Sequence, residues 1–259
     1  MKLHACLALA ALVGTAQAQE PDYTPWTRLL QAHYDPIQGM DYEGLASKDW
    51  AAMKRIVQLL AEVDPARLNR DQQLAYYLNL YNVTVVNLLM ENRQVKSIRD
   101  LSTDPLIRFN IFRKDLVLNK SGKISLKRLE DEIIREGFKD PRIHFAINCA
   151  ARSCPPIRQE AFTGSKVNSQ LDDQARAFFA HPHLGARLEV KGGTLVIHLT
   201  KIMDTGSWFG EDFEKWGGGR AVFLRKYLTA PQHRLLDIYS GHTELAFDAY
   251  DWNLNRWTR

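Results

Sequence analysis

Cysteine is scarce in this chain. There are three in 259 residues, and only Cys149 and Cys154 lie beyond the first eighteen. That excludes a disulfide-framed fold, because two cysteines allow at most one intramolecular bridge. Excess charge is lacking too. Lys and Arg number 34 against 30 Asp and Glu, a net of +4, and no stripe of basic residues interleaved with aromatics marks a nucleic-acid footprint. There is no internal repeat, low-complexity tract or long linker. No His-Glu-x-x-His and no cysteine pair at zinc spacing occurs; His181-Pro182-His183 reads as a loop pair and His198 falls on a strand. Neither a metal nor a cofactor is expected. Gly217-Gly218-Gly219 lacks the lysine of a phosphate loop and follows no clear strand, so it reads as a hinge.

What is present begins with a basic residue, a short apolar stretch and the small-x-small ending Ala16-Gln17-Ala18. This predicts a secretory signal peptide over residues 1–18. The apolar stretch is too short to span a bilayer comfortably. Cys6 precedes that stretch instead of following it, which argues against lipidation. The expectation is an exported protein, periplasmic or secreted, with no transmembrane segment after signal cleavage. Loss of Lys2 takes the balance from 34 − 30 = +4 to 33 − 30 = +3. Residues 19–259 are long enough for one large domain.

Helical periodicity predicts a first helix from Thr24-Pro25 to about Tyr34 and a second, capped by Ser47, with Met53, Ile56 and Leu60 inward. A third helix is predicted from Arg70 to Glu91. Leu74 to Met90 holds no charge, so this helix is buried on every side. Asn79 and Asn82 lie within it and must find internal partners, either neighbouring backbone or a substrate whose pocket they floor. Asp115–Asn119 reads as a strand. Ser125 caps a helix through Arg135, with Glu130 beside its core face. Residues 142–148 alternate, Ile143, Phe145 and Ile147 against Arg142, His144 and Asn148, which predicts a central strand. Lys166–Ala180 reads as a helix and 187–199 as a hairpin around Gly192-Gly193. Trp208–Trp216 reads as an aromatic acidic turn and Arg220–Leu228 as a helix. Leu235–Tyr239 and Leu245–Tyr250 read as closing strands. The fold class is therefore α+β, a largely helical domain packed on a central, mainly antiparallel sheet.

Five pieces of sequence carry a family resemblance: Tyr77-Leu78-Asn79-Leu80-Tyr81-Asn82; Ile124-Ser125-Leu126 leading to Leu129-Glu130; Asp140 through Cys149; Ser153-Cys154-Pro155-Pro156; and Tyr250 through Asn255. With them the chain resembles the domain of unknown function 547 (DUF547) family over most of residues 19–259. The resemblance implies no settled activity. Many relatives carry histidine after the glutamate, where this chain has Asp131, and some plant-like relatives lack a cysteine at the position of Cys154.

Reactive chemistry concentrates between His144 and Cys154. A thiol ionises only with a base or positive field nearby. On a regular strand, positions 144 and 148 stand roughly 13 Å apart at about 3.3 Å per residue, which separates His144 from Cys149. Cys154 can fold back after the Ala150–Ser153 loop, and is the better nucleophile. The catalytic candidates are then Cys154, His144, Asn148 and Glu130, the last two as orienting groups for the imidazole. Asn79, Asn82 and Ser153 are candidate substrate-binding residues. Two functions follow: a thiol-dependent hydrolase or acyl transferase, at most loosely papain-like or transglutaminase-like and acting on a small-molecule or peptide ligand, or a non-catalytic binding or scaffold domain. A Cys149–Cys154 disulfide would leave a staple or a redox-cycling pair.

Overall fold

The computed structural model describes residues 19–104, 109–206 and 209–257. The predicted signal segment and Trp208 lie outside them. Helix α1 (Thr24–His33) leads through the short hairpin β1 (Tyr34–Asp35) and β2 (Gly39–Met40) into α2 (Tyr42–Lys48) and α3 (Trp50–Ala61). Ser47 does not cap α3. It sits inside α2, which is capped by the Asp41 carboxylate accepting from the Gly44 amide, and the chain breaks at Asp49.

The long helix α4 (Arg70–Glu91) starts where the sequence places it. Asn69 and Gln72 form a reciprocal capping box, and both flanks of the uncharged stretch are covered by protein. A hairpin of β3 (Asp115–Asn119) and β4 (Gly122–Ser125) follows. Ser125 then accepts from the Arg128 amide and opens one continuous helical run: α5 (Leu126–Arg128), a π-helical stretch (Leu129–Arg135) and α6 (Glu136–Phe138). Beyond it lie α7 (Val167–Phe179) and a sheet of β5 (Arg187–Lys191), β6 (Thr194–Leu199) and a later strand. Both glycines of the Gly192-Gly193 turn take positive φ, as a two-residue hairpin of this kind demands. The chain continues through α8 (Gly210–Lys215), α9 (Gly219–Tyr227), α10 (Ala230–Ile238) and β7 (Thr243–Phe247).

The class is α+β, and antiparallel pairing predominates, but among the described residues the strands form three small sheets. β7 joins β6 in parallel. Two further sequence expectations are overturned. Leu235–Tyr239 is not a strand, because Pro231 in the first turn and a Thr229/Gln232 capping box start α10 and carry it to Ile238. Residues 142–148 are not a strand either. The Asp140 carboxylate accepts from the Arg142 amide, Pro141 occupies the first turn, and Pro141–Phe145 winds as a 3-10 helix. The alternation has another cause. Ile143 packs into the main core around α4, while Phe145 packs into a second core with Phe178, Phe213 and Phe223. His144 falls between them, at the seam of the two clusters.

Among the described residues, no helix is long and apolar enough to cross a membrane.

Candidate functional site

The site is built where the 3-10 turn hands over to the cysteine loop. Arg142 clamps the turn from one side, donating to Asp140 and, at 2.9 Å, to Asp172 of α7. From the other side the Asn82 amide of α4 donates to the Ala146 carbonyl (2.9 Å) while its oxygen accepts from the Asn148 amide (2.9 Å). Asn79 does the same for Phe162, giving at 2.8 Å and accepting at 3.0 Å. Both α4 amides therefore hold backbone, and neither side chain reaches the cleft described below.

Asn148 organises the loop. Its oxygen accepts from the Ala150 amide (2.6 Å) and from Asn255, and its amide donates to the Pro155 carbonyl (2.7 Å). Ala150 takes a left-handed φ of 67°, unusual for a residue with a side chain. The C-terminal segment straps the loop down. Arg152 and Ser153 donate to the carbonyls of Asn253 and Asp251, Ser153 Oγ accepts from the Asp251 amide, and Asn255 donates to Ala150. The strap also passes Gly39, whose positive φ and lack of a Cβ let the Asn255 carbonyl come close. Its effect is to bring Tyr250 against the two cysteines.

The cysteines are not bridged. Cys149 Sγ and Cys154 Sγ stand 2.7 Å apart as free thiols, longer than the roughly 2.05 Å of a disulfide. Cys154 is buried, at 4 % exposure, and Cys149 half-buried. Cys154 Sγ accepts from the Cys149 amide (3.2 Å) and is hydrogen-bonded to the Cys149 sulfur and the Tyr250 hydroxyl (3.1 Å). Burial opposes ionisation of Cys154, but these hydrogen bonds outweigh it and hold its pKa below the ordinary thiol value. Its hydrogen bond to Cys154 and then its burial push the Cys149 thiol well up. Of the pair, Cys154 is the more easily ionised and Cys149 the less.

Both sulfurs line a cleft of about 430 Å³ together with Glu130, Arg135, His144 and Tyr250. Its walls are aromatic, from Tyr81, Phe109, Phe112, Phe209 and Trp252. The imidazole of His144 is buried and stacks on Phe209 with ring centroids 4.4 Å apart. His144 Nε2 lies 2.7 Å from Asp212 Oδ2 of α8. The same carboxylate accepts two hydrogen bonds from Arg135, at 2.9 and 3.1 Å. Burial lowers the His144 pKa against the pull of Asp212. Asp212 stays ionised, since the bonds from His144 and Arg135 overcome its own burial and take its pKa far below the carboxylate range. A neutral imidazole beside a fixed carboxylate must donate Nε2–H, which leaves Nδ1 as the proton acceptor. Among the described residues no hydrogen bond joins His144 to either cysteine.

Glu130 sits in the π-helical stretch, a helix irregularity common at functional sites. Burial, then the neighbouring charge of Asp131, raises its carboxyl to about 7, with the Tyr81 hydroxyl donating to it at 3.0 Å. Asp131 itself pairs with Lys127 and Arg135. The cleft thus brings together Cys154, Cys149, His144 and Glu130. Asn148 and Ser153 lie behind it as loop fasteners, and Asn79 and Asn82 lie deeper still. The imidazole is held by Asp212, not by Asn148 or Glu130. Sequence reasoning missed Asp212, Arg135 and Tyr250. Tyr250 stood in a quoted motif and Asp212 in the acidic aromatic run, but nothing in the spacing tied either to the cysteines. Among the described residues no cluster of His, Cys, Asp and Glu could hold a metal ion.

Residues 65–179 match the family described as "Protein of unknown function, DUF547". The matched span contains Glu130, His144 and both cysteines, and ends before Asp212 and Tyr250. No curated protein and no solved structure matches the chain.

Proposed function

We propose that this DUF547 family protein is an exported, thiol-dependent hydrolase or acyl transferase with Cys154 as its nucleophile. The observation that carries the reading is the division of labour in one cleft. Three hydrogen-bonding groups converge on Cys154 Sγ, and an imidazole whose Nε2 is committed to Asp212 lines the same space. A thiolate attacks a carbonyl carbon, the group it displaces needs a proton, and the water or acceptor that then attacks the thioester must lose one. In this scheme Asp212 is a positioning residue that sets the tautomer and steadies the imidazolium as it forms, with Arg135 steadying Asp212. Glu130, with a pKa near neutrality, gives its carboxyl proton to the group that Cys154 displaces. His144 Nδ1 then takes the proton of the water or acceptor that attacks the thioester, and that proton returns to the Glu130 carboxylate through water in the cleft. The aromatic walls suit a substrate with an apolar portion beside its carbonyl.

The test is acylation by an activated ester. Incubated with p-nitrophenyl acetate, the reduced protein is expected to release a burst of nitrophenolate and to carry an acetyl group on the peptide containing Cys154. Cys154→Ser abolishes the burst, and His144→Ala, which lacks the base for the incoming water, slows the steady-state release that follows by about 10²-fold or more. An acetyl group on Cys149, or no thioester in a folded protein, overturns the reading. Export is tested separately by N-terminal mass analysis of protein recovered outside the cytoplasm. The chain should begin at Gln19, and retention of residues before Ala18 contradicts it.

A further inference from the structure

Two free cysteine sulfurs 2.7 Å apart are more than acyl transfer requires. We propose that Cys149 and Cys154 are a reversible redox couple that reduces a hydroperoxide, with Cys154 as the attacking sulfur and Cys149 as the resolving one. The proposal rests on the same Cys154 thiolate as the acyl-transfer reading, but not on acyl transfer itself.

Geometry assigns the two roles. Cys154 Sγ accepts from the Cys149 amide and has the Tyr250 hydroxyl at 3.1 Å, whereas Tyr250 stands 3.7 Å from Cys149 Sγ. The sulfur with the amide donor and the nearer hydroxyl is the better stabilised as an anion, and the anion is the nucleophile toward peroxide. The loop leaves the sulfurs facing each other with no further folding needed. The Asn148 bonds to Ala150 and Pro155 and the turn from the Cys154 amide to the Ala151 carbonyl fix both ends. Both sulfurs also line the cleft, so a small oxidant that enters it meets them together.

The chemistry balances without another partner in the oxidative half. The Cys154 thiolate attacks the distal oxygen of ROOH and the O–O bond breaks. The departing alkoxide takes a proton from the Tyr250 hydroxyl or from water, leaving Cys154 as a sulfenic acid. Cys149 then loses its thiol proton and its sulfur attacks the Cys154 sulfur. The S–O bond breaks and water leaves, so two thiols and one hydroperoxide give a disulfide, an alcohol and water. A small dithiol reopens the bridge by exchange. While closed, the pair masks the nucleophile of the cleft.

The experiment is a single turnover with one equivalent of cumene hydroperoxide on the reduced, desalted protein, read by peptide mapping. The wild type is expected to lose both thiols at least about tenfold faster than free cysteine, and dithiothreitol should restore them. Cys149→Ser should accumulate a dimedone adduct on Cys154, Cys154→Ser should form none on Cys149, and Tyr250→Phe should slow closure several-fold while remaining folded. Thiol loss no faster than free cysteine, or a dimedone adduct on Cys149 in Cys154→Ser, overturns the proposal. The ester assay separates the two readings. Bridge closure without thioester leaves the redox couple standing and removes acyl transfer, and thioester without accelerated closure does the reverse.

Discussion

His144 Nε2 and Asp212 Oδ2 meet at 2.7 Å across 68 residues of sequence. The contact spans the two hydrophobic clusters, from the 3-10 turn to α8, so the ring's tautomer is set by an element that folds around the second core. Asp212→Asn keeps the size of the side chain but offers Nε2 an amide in place of a carboxylate. The imidazole can then take the opposite tautomer and hide its lone pair. Hydrolysis of the acetyl-Cys154 thioester is expected to fall by about 10²-fold or more. The steady-state rate after the burst checks this, with the melting temperature recorded because Arg135 also loses an ionic partner. A variant with unchanged steady-state rate shows that Asp212 plays no part.

Glu130 makes stability depend on pH. Its ordinary pKa of 4.5 is raised to about 7 in the folded protein, chiefly by burial. Below 4.5 both folded and unfolded chains hold the proton and the contribution is fully present. Between 4.5 and 7 the unfolded chain releases a proton that the folded chain keeps, so stability falls as pH rises, and above 7 it levels off. Glu130→Gln removes this titration and keeps the Tyr81 hydrogen bond. Urea denaturation should show the loss of stability from pH 4.5 to pH 8 reduced by roughly 2–3 kcal/mol relative to wild type. Parallel curves for the two proteins would contradict a buried, protonated Glu130.

Asn82 ties α4 to both sides of the cysteine turn. Asn82→Ala leaves the Ala146 carbonyl and the Asn148 amide buried without their partner. The expected loss is roughly 1–3 kcal/mol in urea or thermal unfolding. A change below about 0.5 kcal/mol, the size of an ordinary surface substitution, sinks the claim that this pair fastens the site.

Much of the scaffold was legible because its signals are local. The charge-free stretch of α4, the Ser125 cap and the Gly192-Gly193 hairpin each follow from neighbouring residues. The site was legible only in part. Alternation at 142–148 fits a strand, yet the same spacing arises when a 3-10 turn sends Ile143 and Phe145 into different cores, and the Asp140-Pro141 cap decides between them. That error carried a second one. The distance separating His144 from Cys149 presumed an extended chain, whereas the turn lets both line one cleft. Asp212 and Tyr250 arrive through tertiary packing, which no spacing in the sequence encodes.

The most direct measurement of the central claim is the pH dependence of iodoacetamide alkylation, followed at each cysteine by peptide mapping of the reduced protein. Cys154 is the more easily ionised of the pair, so it should be alkylated first. Its apparent pKa should lie below the ordinary thiol range and rise in Tyr250→Phe, with Cys149 reacting only at higher pH. Labelling of Cys149 ahead of Cys154, or a Cys154 profile that titrates like a free thiol, contradicts the account.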